Sequence, residues 1–353
     1  MNLFSRKDRL FFYILDDFCQ FVLYKSNFAT LKIMHKKEYN CRSSIILIPI
    51  YICIGILFIG QNIYSQPAPI AAEITKTYHI NDSLDFVYSK PKPFSFITNI
   101  PTNLYQYSKI TFTKKNLVPM AAIAASTAAL VLIDQPLLDG VQHFAQHDLK
   151  IAGTNSEKTY LDIKIPLPFS KSKFDVPLNG PHDLNSALYF LGDGVTHFTI
   201  AGCFFVDGLI TKDLRAKQTA SQLTECILST GFVTQLIKHL TGRESPYVAS
   251  VPGGKWSLFP NQKTYAEHVP NHDAFPTGHL ATAMATVTVI ADNYPEYSYI
   301  KPVGYGLMSL LAFAMVNNGV HWISDYPLGI ALGYGFAKIT AAHGKKEVHK
   351  HIE

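Results

Sequence analysis

The chain has 353 residues, of which 48% are hydrophobic and 16% charged, and its formal net charge is +5. This length suffices for one large domain or two small ones, and the low charged fraction favours buried helices, membrane association or both. Residues 1–44 contain eight Lys and Arg against four Asp and Glu, a net charge of +4, so the basic balance belongs to the N-terminus and no basic stripe indicates nucleic-acid binding.

The N-terminal 66 residues have the pattern of a leader. Residues 45–60 form an uncharged apolar run, which follows a basic segment and precedes a short polar exit. These three parts are typical of a signal peptide. We interpret residues 34–66 as this peptide, starting at Met34, with residues 1–33 upstream of the true start; an uncleaved membrane anchor is the alternative. Both interpretations predict an exported protein, periplasmic or associated with the outer face of the inner membrane.

The remainder of the chain predicts an all-α fold. Residues 67–116 are polar and rich in Pro, Tyr and Lys, which predicts an irregular N-terminal arm. Residues 117–345 form the predicted helical domain, and residues 346–353 a tail. Apolar runs bounded by Pro, Gly and acidic residues predict a bundle of about six helices. The predicted ranges are 117–133, 196–211, 213–240, 279–292, 302–317 and 325–342.

Two features of this helical pattern bear on function. Most of the apolar runs are shorter than the about 20 residues that a membrane span needs, which favours buried helices over transmembrane helices, the alternative. Residues 246–278 separate two of the predicted helices and contain several Pro and Gly turns. Long loops inside compact domains are usually functional, so we expect this loop to shape a site.

Three clusters of reactive side chains lie at the ends of the predicted helices. Their sequences are KHLTGRESP at 238–246, FPTGH at 275–279 and NNGVHWISD at 317–325. Each cluster alone has a structural explanation, such as a capped helix start or a cation near a helix C-terminus. All three in one order, separated by helix-plus-loop lengths, indicate a common site.

The chemistry of these residues suits a phosphate ester. A Pro-Thr-Gly segment that opens a helix presents N–H groups and a hydroxyl to an oxyanion. His279, in the first turn, can donate a proton to a leaving oxygen near neutral pH. His321 and Asp325 are four residues apart, so the carboxylate can fix the imidazole tautomer and leave the other nitrogen free to attack. Lys238 supplies a point charge for the phosphate, and Arg243 a guanidinium fork.

In this order and spacing the clusters resemble the signature of the type 2 phosphatidic acid phosphatase and vanadium-dependent haloperoxidase superfamily, written K-x6-R-P, P-S-G-H and S-R-x5-H-x3-D. The resemblance covers residues 117–342. It implies an all-helical phosphatase whose lysine and arginines bind phosphate, with support from the serine and glycine. One histidine protonates the leaving group, and the other, oriented by the aspartate, forms a phosphohistidine. By position these roles fall on Lys238, Thr277, Gly278, His279, His321 and Asp325.

The chain departs from this signature at both arginines. Ser245 stands at the first arginine position, before Pro246, and Met315 stands at the second. Each lost arginine removes a bidentate, charge-assisted donor, and one such donor is often worth about a hundredfold in rate. We expect Arg243 to substitute in part, with Ser245 as a neighbouring phosphate contact. Met315 offers no charge and disfavours a vanadate cage.

The resemblance therefore predicts a phosphomonoesterase that hydrolyses a lipid or other organic phosphate through a phosphohistidine, without a metal or other cofactor. The alternative is a weakened or inactive relative that binds a phosphate or lipid as a scaffold. A haloperoxidase holding vanadate is the least favoured hypothesis. The expected partner is a phosphate-ester substrate, with a lipid phosphate as one alternative and a membrane surface as a further possible partner. No nucleic-acid partner is expected.

Overall fold

The computed structural model describes residues 74–153, 158–166 and 173–350. The predicted leader, residues 1–66, lies outside the described residues.

The described part of the chain is mainly helical, which confirms the predicted all-α class. Its α-helices are α1 Ser95–Thr98, α2 Ile100–Thr111, α3 Leu117–Val131, α4 Asp134–His143, α5 Leu184–Phe190, α6 Gly194–Ile210, α7 Leu214–Thr241, α8 Gln262–Glu267, α9 Gly278–Asn293, α10 Ile300–Asn317 and α11 Tyr326–Thr340. The six predicted helices correspond to α3, α6, α7, α9, α10 and α11, and their ends agree to within two residues.

Helix α7 is the longest of these helices, and local signals define both of its ends. The side chain of Asp213 accepts hydrogen bonds from the N–H groups of Arg215 and Ala216, which caps the N-terminus. Gly242 has a φ of 55° and donates its N–H to the carbonyl of Lys238 at 2.9 Å. This left-handed residue ends the helix and turns the chain towards the site.

Helices α7, α9 and α11 share the main hydrophobic core. Leu223 of α7, Val289 of α9 and Phe336 of α11 are all buried in one cluster. Burial of side chains of this size stabilises the fold by about 1.5–3 kcal/mol each. The C-terminal end of α7 and the N-termini of α9 and α11 carry the three predicted clusters, so the core holds these clusters in fixed positions.

The predicted irregular arm and tail are corrected by the structure. Strands β1 Thr75–Asn81 and β2 Leu84–Ser89 form a hairpin within residues 67–116, and β5 Lys345–His349 pairs antiparallel with β2 in the region predicted as a tail. The pairing of β2 with β5 joins segments more than 250 residues apart, as in the Tyr88–Lys345 register pair. Local composition carries no signal of such a distant partner.

The sheet is attached to the helices by aromatic side chains of β2. Phe86 and Tyr88 are buried against Leu214 at the start of α7. The hydroxyl of Tyr88 donates to Oδ1 of Asn293 at 2.8 Å, at the end of α9. A second antiparallel pair, β3 Lys158–Pro166 and β4 Lys173–Gly180, lies between α4 and α5 in the chain.

The long loop between α7 and α9 contains short helical pieces. Pro246–Val248 and Val269–Asn271 are 3₁₀ turns, and α8 lies between them. Isolated β-bridges join Arg243 to Trp256 and to Asp273. These bridges fold the loop back over the end of α7, as expected for a loop that shapes a site.

Some helices in the described part of the chain meet the length and apolarity that a membrane crossing requires. Helix α10 does so alone. Two bent pairs do so if each is taken as one span: Lys114–Val131 with Asp134–Asp148, and Leu184–Phe190 with Gly194–Ile210.

Candidate active site

His321 and Asp325 lie in the short segment between α10 and α11. The His321 side chain is 3% exposed, and its Nδ1 lies 3.4 Å from Oδ2 of Asp325. The same Oδ2 accepts the backbone N–H of Trp322 at 2.9 Å. The distance of 3.4 Å is long for a hydrogen bond, so the fixed carboxylate orients the imidazole mainly by charge.

Arg243 holds the other side of Asp325. Its Nη1 donates to Oδ1 of Asp325 at 2.6 Å and to the hydroxyl of Ser324 at 2.6 Å. Its Nη2 donates to Oδ2 of Asp134 at 2.6 Å and to the carbonyl of Gly253 at 2.7 Å. The guanidinium is fully buried, with 0% of the side chain exposed.

This position corrects our expectation that Arg243 would grip phosphate. The guanidinium contacts the indole rings of Trp256 and Trp322, with its central carbon 4.7 and 5.2 Å from their centroids. Each of its Nη atoms already donates to a carboxylate of the protein, Nη1 to Asp325 and Nη2 to Asp134. Arg243 therefore positions Asp325 behind the imidazole.

His279 faces His321 from the start of α9. The two imidazole centroids are 5.9 Å apart, with the rings inclined by 69°. The ring of Tyr189 lies 4.6 Å from that of His279. A Cβ at Gly192 would stand 2.7 Å from Cβ of His279, so the backbone between α5 and α6 packs directly against this histidine. The structure thus brings the two predicted catalytic histidines together.

The second cluster builds the N-terminus of α9. Gly278 is the first residue of this helix, and the Thr277 hydroxyl accepts the N–H of Leu280 at 3.5 Å as its cap. The Thr277 N–H donates to the carbonyl of Asp325 at 3.2 Å, which ties this helix start to the third cluster. A helix N-terminus beside the two histidines favours an anion there.

Lys238 lies near His321 but already has a carboxylate partner. Its side chain is 5% exposed, and its Nζ is 3.1 Å from Oδ2 of Asp273. The hydroxyl of Tyr265 donates to Oδ1 of Asp273 at 2.5 Å. We did not predict the pairing of Lys238 with Asp273. Asp273 and Tyr265 both belong to the loop between α7 and α9, which we expected to shape a site, with Tyr265 among its aromatic residues.

The two positions that lack arginine are buried. Met315 is 0% exposed and belongs to a core cluster with Leu280, Met308 and Leu311. The Thr277 hydroxyl lies 3.6 Å from its sulfur. Ser245 is also buried, and its N–H donates to the carbonyl of Pro270 at 2.9 Å. An uncharged side chain therefore stands at each position where the signature has a guanidinium.

The surroundings of His321 favour its neutral form. Burial lowers the pKa of the imidazole below its ordinary value of 6.5. The carboxylate of Asp325 opposes this shift, whereas the positive charge of Lys238 adds to it. A neutral imidazole near pH 7 is the form that can act as a nucleophile.

Asp134 and Ser324 are further members of the site that sequence reasoning missed. Asp134 Oδ1 accepts the N–H of Ser324 at 3.0 Å, and its Oδ2 accepts the Ser324 hydroxyl. The sequence pattern marked Asp134 only as the residue at which the first predicted helix ends. Within the described residues, no group of three or more His, Cys, Asp or Glu side chains is arranged to hold a metal ion.

Comparison with known proteins gives one family. The model of the PAP2 superfamily matches residues 219–347, which include all three clusters. No curated protein and no solved structure gives a significant match. Members of this family act on phosphate esters, so the match indicates a phosphatase-type activity. The match of residues 219–347 to this family model agrees with the family resemblance inferred from the three clusters.

Proposed function

We propose that this chain is a phosphomonoesterase that works through a phosphohistidine intermediate on His321. The observation that carries the proposal is the fixed order of Arg243, Asp325 and His321, in which the carboxylate faces Nδ1 of a buried imidazole. This order directs the opposite nitrogen, Nε2, towards the substrate. His279, whose ring lies 5.9 Å from that of His321, supplies the proton donor.

In the first step Nε2 of His321 attacks phosphorus, and a nitrogen–phosphorus bond forms. The bond between phosphorus and the ester oxygen breaks, and its electron pair stays on that oxygen. Protonated His279 gives this oxygen a proton, so the alcohol leaves neutral. The negative charge of Asp325 stabilises the positive charge that develops on the His321 ring.

In the second step water attacks the phosphohistidine. The neutral His279 left by the first step accepts a proton from this water. The nitrogen–phosphorus bond breaks, its electron pair returns to Nε2, and inorganic phosphate leaves. The proposed cycle restores both histidines and uses no metal ion or other cofactor.

We further propose that the substrate is a lipid phosphate met at the outer face of a membrane. The apolar run at residues 45–60 supports export of the chain. Helix α10 is apolar enough to enter a bilayer, and its side chains Val303, Leu307 and Leu310 are exposed. Exposed apolar faces of this kind mark a membrane or partner contact.

A binding scaffold of low activity is the second candidate. It is favoured by the buried Met315, which supplies no charge, and by the pairing of Lys238 with Asp273. Without two arginines the site binds the transition-state charge more weakly. The same losses count against a vanadate-holding haloperoxidase more strongly, because vanadate needs a cage of donors.

The test is phosphate release by the purified full chain, from an aryl phosphate in solution and from phosphatidic acid in detergent micelles. His321→Ala is assayed beside a matched control, His79→Ala, which removes a histidine from the exposed pair with Asp85. We expect turnover that His321→Ala abolishes and His79→Ala retains. Absence of turnover from the folded native chain on both substrates would favour the binding scaffold.

A further inference from the structure

The proposed mechanism leaves one buried ion pair of the site unexplained. Nζ of Lys238 is 3.1 Å from Oδ2 of Asp273, and the two side chains are 5% and 10% exposed. Both charges act on the His321 imidazole, so the pair lies in the neighbourhood of this histidine. A lysine at this position is expected to bind the substrate's phosphate. Its ammonium group, however, already pairs with the carboxylate of Asp273.

The charges of the site show the consequence of this pairing. Lys238 and Arg243 face the carboxylates of Asp134, Asp273 and Asp325, through ion-pair distances of 2.6–3.1 Å. The Arg243 charge is already matched by two carboxylates. These pairs join two positive and three negative side chains, and protonated His279 of the proposed mechanism brings the two signs into balance, so no excess of positive charge is left for a dianion. A phosphoryl group with two negative charges would meet the carboxylate of Asp273 at short range, at an electrostatic cost.

The Asp273 carboxylate is held in this position from several sides. Tyr265 donates its hydroxyl to Oδ1 of Asp273. The Tyr265 ring stacks on two imidazoles, with centroid distances of 3.9 Å to His239 and 5.7 Å to His272. The carbonyl of Arg243 accepts the N–H of Ala274 at 3.0 Å, which fixes the adjoining backbone. A carboxylate that is anchored in this way cannot readily withdraw from an incoming anion.

We propose that Asp273, anchored by Tyr265, is a specificity-determining residue that makes the site prefer phosphoryl groups with a single negative charge over those with two. The inference rests on the proposed function, because it assumes that the phosphoryl group binds between Lys238 and the two histidines. The favoured substrates are phosphate esters that present one negative charge, such as a monoester that keeps one proton. Inorganic phosphate in its dianionic form, the product, is then held weakly.

The experiment compares two anions of similar shape and different charge. Sulfate, a dianion, and methyl sulfate, a monoanion, are titrated calorimetrically into the full chain at one pH and constant ionic strength. The native chain is expected to bind methyl sulfate at least as tightly as sulfate. Asp273→Asn keeps the shape of the side chain and an acceptor for Tyr265. It is expected to shift the preference towards sulfate by about tenfold, because the second negative charge of sulfate is no longer repelled by a carboxylate.

Two further variants separate specificity from folding. Tyr265→Phe keeps the ring stack, releases one oxygen of Asp273, and is expected to give a smaller shift in the same direction. Asp292→Asn removes the carboxylate of an exposed pair with Lys338, whose Nζ lies 2.6 Å from Oδ2, and is expected to change neither affinity. Retained helical circular dichroism shows that each variant folds.

The outcomes distinguish this proposal from the proposed function. An unchanged ratio of the two affinities in folded Asp273→Asn would overturn the role of Asp273, even if the native chain hydrolyses phosphate esters. Binding of neither anion by any folded variant would overturn it as well. If Asp273→Asn shifts the ratio of the two affinities as predicted but the native chain shows no turnover, the role of Asp273 is supported. Only the proposed phosphatase activity is then contradicted.

Discussion

Nη1 of Arg243 lies 2.6 Å from Oδ1 of Asp325, on the side of the carboxylate that faces away from His321. The arginine thus acts on His321 through Asp325. Nη2 of the same guanidinium reaches Asp134 at 2.6 Å, so one buried cation joins the end of α7, the start of α4 and the turn before α11. This junction fixes the position of the Asp325 carboxylate beside His321.

Arg243→Met is expected to destabilise the fold by about 3–5 kcal/mol, because it leaves two buried carboxylates without their partner. The measurement is urea unfolding followed by circular dichroism. Lys338→Met is the control: its pair with Asp292 is exposed and should cost about 1 kcal/mol or less. Equal losses in the free energy of unfolding would show that the buried ion pairs of Arg243 stabilise the fold no more than the exposed pair of Lys338.

Asp325→Asn is expected to reduce kcat by about a hundredfold to ten-thousandfold, because the amide no longer stabilises the charged imidazole. The carboxylate also raises the pKa of His321, so its loss should move the acidic limb of kcat/KM to lower pH. The pH–rate profile of variant and native chain measures both effects. An acidic limb that moves to higher pH would contradict the assigned pairing.

The native chain should keep its kcat/KM as pH falls through 6.5. Burial lowers the pKa of His321 below this value, so the neutral, nucleophilic imidazole persists to more acidic pH and is lost only below the lowered pKa. The profile should be recorded with a substrate whose phosphoryl group does not titrate in that range. Loss of activity centred at or above pH 6.5 would show that the nucleophile is not a buried, neutral histidine.

Met315→Arg is expected to lower stability by several kcal/mol without tightening sulfate binding, because position 315 is fully buried beside Leu280 and Leu311. Met315→Leu conserves volume and should cost less than about 1.5 kcal/mol. Thermal unfolding and calorimetric titration give the two quantities. If Met315→Arg folds normally and binds sulfate more tightly, this position faces the anion.

The helices were predictable because their signals are local. Apolar runs and Pro or Gly boundaries placed α7, α9 and α10 correctly, and the cap at Thr277 fixed the start of α9. The pairing of His321 with Asp325 also followed from a spacing of four residues.

Partners that lie far apart in the chain were not predictable in this way. Asp134 is 109 residues from Arg243, and Asp273 is 35 residues from Lys238. Nothing in the local sequence says which carboxylate a folded chain brings to which cation. The strand β5 shows the same limit, because its partner β2 lies at the other end of the described chain. The fold determines these contacts, and through them it decides whether a cation is free to bind phosphate.

The most direct test of the central claim is to trap the covalent intermediate. The full chain is mixed with a substrate carrying radioactive phosphate, quenched in alkali, digested and mapped by mass spectrometry. We predict an acid-labile, alkali-stable phosphoryl group on the peptide that contains His321, and its absence in His321→Ala. Turnover by the native chain without label on that peptide, or turnover retained by His321→Ala, would contradict the account.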